Sequence, residues 1–161
     1  MNIDFVVLRI LHIASGAFWV GTVVFMALIL RPRLVSLGVD RKVIQSIDKA
    51  VNTATGIAAL ITVAAGVGLL LRLRWSHFDT FFDSGWGYAI LLGIIAAIGA
   101  FVLGGIEQST SARAASMSSG PPGGDNEAVL QLLDARVVRL QRLHALVVLV
   151  AVGSMASARF V

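Results

Sequence analysis

From Phe5 to Leu30 the chain reads FVVLRILHIASGAFWVGTVVFMALIL and is then closed off by Arg31, Pro32 and Arg33. An α-helix rises about 1.5 Å per residue, so an apolar run of roughly 20 residues matches a hydrocarbon layer about 30 Å thick. The stretch predicts a transmembrane helix. Only Arg9 and His12 interrupt it, and an ionisable group inside such a run is costly enough to be a functional hypothesis in itself. His12, Gly16 and Trp19 recur at helical spacing, so one stripe of the helix carries an imidazole, a gap and an indole.

Three further apolar runs follow, Thr53 to Leu71, Trp86 to Ile106 and Leu143 to Ala158. A chain that is 57% hydrophobic and 14% charged, with mean hydropathy +0.87, has more apolar surface than a soluble domain of 161 residues can bury. The bilayer is its expected solvent. The formal charge of +4 does not point to nucleic acid, because the basic residues flank apolar runs and form no separate basic domain. With no cysteine there is no disulfide framework and no thiolate metal site. The N-terminal MNIDF lacks the basic cluster of a signal peptide, so the first run is expected to stay as an uncleaved span.

Four spans place both termini on one side. Of the 13 Lys and Arg residues, nine lie in the first and third connections (Arg31, Arg33, Arg41, Lys42, Lys49, Arg113, Arg136, Arg139, Arg142) and four on the other side (Arg9, Arg72, Arg74, Arg159). Cytoplasmic loops carry the excess, which predicts both termini outside the cytoplasm. Helices two to four look longer than the membrane. Asp40 is an expected N-cap for a helix from about Arg41 to Arg74, and the third helix continues through Glu107 to Met117. SSGPPGGD breaks the chain, and Asp125 or Asn126 caps a fourth helix expected to reach Phe160. The reading is a single all-α domain: an antiparallel four-helix transmembrane bundle with a raised cytoplasmic collar, its charged face solvated or available for docking. The second connection, with Trp75, Phe78, Phe81, Phe82, Trp86 and Tyr88, is expected to lie at the outer headgroup level. Small residues four apart, such as Ala17 with Gly21, Ala64 with Gly68, and Ala96 with Ala100 and Gly104, favour close helix approach.

The candidate site lies in the outer half. His12 and His144 cannot share one iron, because their places in antiparallel spans separate them by roughly 15 Å along the membrane normal. Met155 falls near the depth of His12, and imidazole plus thioether is an accepted axial pair for haem iron. Arg9 and Arg159 on the outer rim match haem propionates, Gly16 leaves room for a flat ring, and Trp19 is a stacking partner. With His77 from the outer loop added, the same donors suit Cu(I). Each residue also has a structural role open to it. His12 can donate to a neighbouring carbonyl, Met155 can fill a gap, the arginines can snorkel, Trp19 can anchor packing, and His77 and His144 can sit at headgroup level. The acids lie near the interfaces or outside the spans, and no HExxH, phosphate loop or intramembrane triad is present, which argues against an autonomous enzyme.

The pattern LRILHIASGAFWVGTVVF, followed by RPRL, resembles the first span of a broad group of bacterial four-helix membrane proteins. That group includes a largely uncharacterised family, the membrane domain of copper resistance protein D, and the haem-b-dependent membrane protoporphyrinogen oxidase. The first of these resembles nearly the whole chain, including the Gly and Pro-rich gap SSGPPGG and a last span ending like GSMASARF. The resemblance implies residence in the bacterial inner membrane and, from the oxidase, a haem b ligand at His12. The oxidase also carries an intramembrane lysine, whereas Lys42 and Lys49 here fall on the collar, which argues against porphyrinogen oxidation. Copper handling would draw on His12 with methionines, although Met26 and Met117 fall on the other side. The functions expected are therefore a non-catalytic accessory subunit, partnered by other membrane subunits or a second copy of itself, a mono-haem b protein, or a copper-handling protein.

Overall fold

The computed structural model describes residues 3–74, 83, 85–118, 124–158 and 160. Four long helices account for nearly all of them: α1 (Ile3–Ser36), α2 (Arg41–Arg74), α3 (Gly85–Ser118) and α4 (Gly124–Ser157). Each is long and apolar enough to cross a membrane, with mean hydropathy between 1.5 and 2.6 over its most apolar window. The chain is an all-α, four-helix integral membrane protein, and among the described residues there is no strand.

All four helices, not three, outrun the bilayer. The expected stop at Arg31-Pro32-Arg33 does not end α1, which passes through a π-helical turn at Met26–Leu30 and resumes α-helical geometry over Arg31–Ser36. Pro32 has no N–H, and its ring would collide with the carbonyl four residues back in a regular helix. Within the π turn the Arg31 N–H bonds to the Met26 carbonyl, so the ladder has widened just before the proline and the helix continues past it.

The α1–α2 turn follows local rules. Gly38 has φ of 66°, the Val39 N–H bonds to the Leu34 carbonyl and the Gly38 N–H to the Val35 carbonyl. That is a Schellman end, in which a glycine takes the left-handed position at little steric cost. The Lys42 N–H then donates to the Asp40 carboxylate at 2.7 Å, so Asp40 is the N-cap expected and α2 begins at Arg41. α4 begins at Gly124, one residue ahead of Asp125, and ends at Ser157 rather than Phe160.

Packing divides the bundle into two antiparallel hairpins, α1 with α2 and α3 with α4, which meet through a less extensive interface. In the first, Leu8 lies against Gly68, His12 against Gly66 and Gly16 against Thr62. In the second, Met155 lies against Gly93, Val147 against Gly99 and His144 against Gly104. At intervals along each hairpin a side chain of one helix meets a glycine of its partner, which is how helices approach where no hydrophobic drive exists between them. Trp19, Ala59, Ala100 and Val148 fill the seam between hairpins. Only 17–33% of each apolar window is buried within the chain, so most of the apolar surface is left for lipid.

Most collar charges are exposed, Arg33, Lys42, Lys49, Arg113, Arg136, Arg139 and Arg142 among them, but some are paired across helices. Arg31 and Asp48 pair at 2.7 Å with side chains only 9% and 3% exposed, clamping the turn end of the first hairpin. Arg41 pairs with Asp134 at 2.8 Å and ties α2 to α4, while Asp4 pairs with Arg72 at the other end. Removing one partner of a buried pair leaves an uncompensated charge, whereas replacing both by apolar groups costs little. Asp48→Ala should therefore destabilise the protein by about 3 kcal/mol, and Arg31→Met with Asp48→Leu by far less. Unfolding in detergent micelles checks the order, which equal losses would refute.

Candidate functional site

Two polar constellations lie between the helices. The first is on α1 and α2. His12 Nδ1 lies 2.8 Å from the Thr62 carbonyl oxygen, an acceptor, so this nitrogen carries the proton and donates. Thr62 satisfies its own hydroxyl on the Ala58 carbonyl and shares a 2.8 Å contact with the Ser15 hydroxyl. The ring fits because residue 66 is glycine: a Cβ there would lie 2.9 Å from His12 Cε1. The imidazole is thus held by a neighbouring helix, with its Nδ1 proton directed away from Nε2.

The second constellation is on α3 and α4, and the sequence reading missed it. Glu107 is buried, and its two oxygens serve different partners: Gln141 Nε2 donates to Oε1 at 2.9 Å, and His144 Nδ1 lies 3.3 Å from Oε2. His144 is 6% exposed rather than set among headgroups, and Glu107 at 5% exposed lies inside the bundle rather than at its edge. Gly104 makes the room, since a Cβ there would lie 3.2 Å from His144 Cε1. Trp19 meets the same imidazole edge-on, with ring centroids 6.5 Å apart and planes at 60°. The other ring nitrogen, His144 Nε2, is buried and has no hydrogen-bond partner.

That ring lines a cavity of about 130 Å³ to which all four helices contribute. Glu107, Gln141 and His144 form one polar wall, Asn52, Thr55 and Gln108 add polar groups toward α2 and the rim, and Trp19, Val23 and Ala100 are part of its apolar lining. Gly56 on α2 and Gly105 on α3 also line it, and a Cβ at either would meet nothing within 4 Å.

The residues proposed for an outer cofactor pocket are distributed as follows. His12 contacts α2, whereas the Met155 side chain lies against Gly93 of α3. The space beside Gly16 is taken by the Thr62 methyl, 3.3 Å from where a Cβ would stand. Trp19 is in the core with His144, and Arg9 is exposed. His77 and Arg159 lie outside the described residues. Trp19 is seven residues beyond His12, a rise of about 10 Å, so the two histidines stand at different depths and no single ion bonds both. Among the described residues no group of three or more His, Cys, Asp or Glu side chains is placed to hold a metal.

A signal for the second constellation was present. Glu107 closes the apolar run of α3 three residues after a glycine, and Gln141 and His144 stand three apart on α4, so each pair shares a helix face. Comparison with family models, with curated proteins and with solved structures gives no match for this chain.

Glu107 is the shared acceptor. Glu107→Ala should orphan two buried donors and cost about 1–3 kcal/mol, while Glu107→Gln, which keeps one acceptor oxygen, should cost less. Thermal unfolding in detergent distinguishes the two, and midpoints unchanged from the unsubstituted protein in both would show that the carboxylate supports neither partner.

Proposed function

We propose that the protein is a non-catalytic accessory subunit that packs through the outer face of α1 against another subunit of a membrane assembly or a second copy of itself. The observation that supports this reading is Gly21. It is exposed on α1 between Ala17, Phe18 and Phe25, also exposed, and a Cβ added to it would meet nothing within 4 Å. A glycine inside a helix costs about 1 kcal/mol relative to alanine, and here no neighbour in the chain uses the close approach it allows. An outside helix would use it, since small residues admit close contact where lipid removes the usual drive. His12, Gly16 and Trp19, by contrast, are occupied within the bundle. In native membranes Gly21→Leu should reduce the co-purifying complex, or the dimer fraction, at least fivefold without lowering the thermal midpoint. An unchanged assembly would assign that face to lipid.

A second reading has one specific observation in its favour. Histidines that ligate a metal commonly donate their other ring N–H to a backbone carbonyl, which fixes the tautomer and leaves Nε2 to coordinate. His12 has that arrangement through the Thr62 carbonyl. As a mono-haem b protein, membrane-purified material should show a Soret band that His12→Ala abolishes. A colourless preparation from haem-replete cells would remove this reading and leave the first untouched.

A further inference from the structure

We propose that the central cavity is a binding site for one hydroxylated aromatic ring carried by a membrane-soluble molecule of the phenol or quinol class, which reaches the cavity between α2 and α3 and donates its O–H to Nε2 of His144. Size sets the first limit. An apolar cavity of about 150 Å³ admits benzene, and this one, at about 130 Å³, has room for one six-membered ring and not for a macrocycle.

The walls set the second limit. One side is apolar and polarisable, with the Trp19 indole and the buried Met26 thioether, both groups that favour contact with an aromatic ring. The opposite side has a fixed polar order. Nδ1 of His144 is directed at the Glu107 carboxylate, whose other oxygen is engaged by Gln141, so in the neutral ring Nε2 is a bare acceptor. That atom is buried and unpartnered, which is a standing cost that a ligand donor would remove. A ligand with an aromatic body and one hydroxyl satisfies both walls at once.

The third limit is the route. Gly56 and Gly105 leave open space where α2 and α3 face each other, and Phe101, Gly105 and Gln108 on α3 are exposed at the cavity rim. Phe101 and Gly105 belong to the apolar run of α3 and Gln108 lies just past its end, so the opening stands at the edge of the hydrocarbon. A lipid-soluble occupant with one polar end suits that level.

The test uses the full chain in phosphatidylcholine nanodiscs, with 4-bromophenol as the probe and tryptophan emission as the readout, since bromine quenches on contact. 4-Bromoanisole, which has the same ring and no O–H, controls for simple partitioning. With three tryptophans in the chain, bromophenol should give a saturable loss of up to about a third of the emission. Trp19→Phe should abolish that saturable phase, and bromoanisole should bind at least fivefold more weakly. His144→Phe should weaken bromophenol to the same degree. Because that variant strands Glu107 and Gln141, Gly105→Leu serves as an independent probe. Its side chain enters open space, so the helical signal and thermal midpoint should hold while the saturable phase is lost. A purely linear quench, equal saturation by phenol and anisole, or normal binding in Gly105→Leu would each overturn the proposal, the first by leaving the cavity to water.

Discussion

Hydrocarbon offers a polar group no water to fall back on, so a polar group between these helices is costly unless another part of the chain meets it. That constraint orders the bundle from end to end. Asp4 with Arg72, His12 with the Thr62 carbonyl, and Arg31 with Asp48 follow one another down the first hairpin. On the second hairpin Glu107 holds Gln141 and His144. Each contact crosses between helices and fixes their register, which the apolar surface alone does not, because lipid tails solvate leucine as well as another leucine does.

Glycine is the counterpart of these contacts. The His12 ring sits where Gly66 has no Cβ, His144 where Gly104 has none, and Met155 where Gly93 has none. A large or polar side chain on one helix is matched by an absence on its partner, and the two hairpins repeat the device. The seam between hairpins lacks it: there Trp19 spans the gap to His144, and the space left around them is the cavity. Tight pairing within hairpins and looser pairing between them thus have one origin, the placement of glycines along the chain.

The architecture was legible in the sequence because hydropathy, capping and breakers act locally. The N-cap at Asp40, the limits of α2 and the run of α3 past Glu107 all follow from residues a few positions apart. Helix α1 outran its expected stop because Pro32 was read as a breaker, whereas the widened turn at Met26–Leu30 lets the chain pass it. The polar core was less legible, since burial of Glu107 and Asp48 depends on which helix face meets which, and each looked like an ordinary acid beyond the end of a span. His12 stood out because it interrupts an apolar run, while His144, two residues after Arg142, was masked by its neighbours although it is the more deeply buried of the two.

The two histidines therefore carry different chemistry despite a shared motif of Nδ1 against an oxygen. The partner of His12 is a neutral carbonyl already fixed within a helix, so that bond locates the ring and changes little else. The partner of His144 is a carboxylate oxygen at the longer distance of 3.3 Å, and in the neutral ring it leaves the opposite nitrogen as an acceptor. His12 is half-buried at the α1–α2 interface, its ring against Gly66. His144 faces an unfilled cavity with Nε2 unpaired. A buried polar atom without a partner is disfavoured unless something else compensates it, and His144 has both the space beside it and the unpaired acceptor that a transient ligand requires.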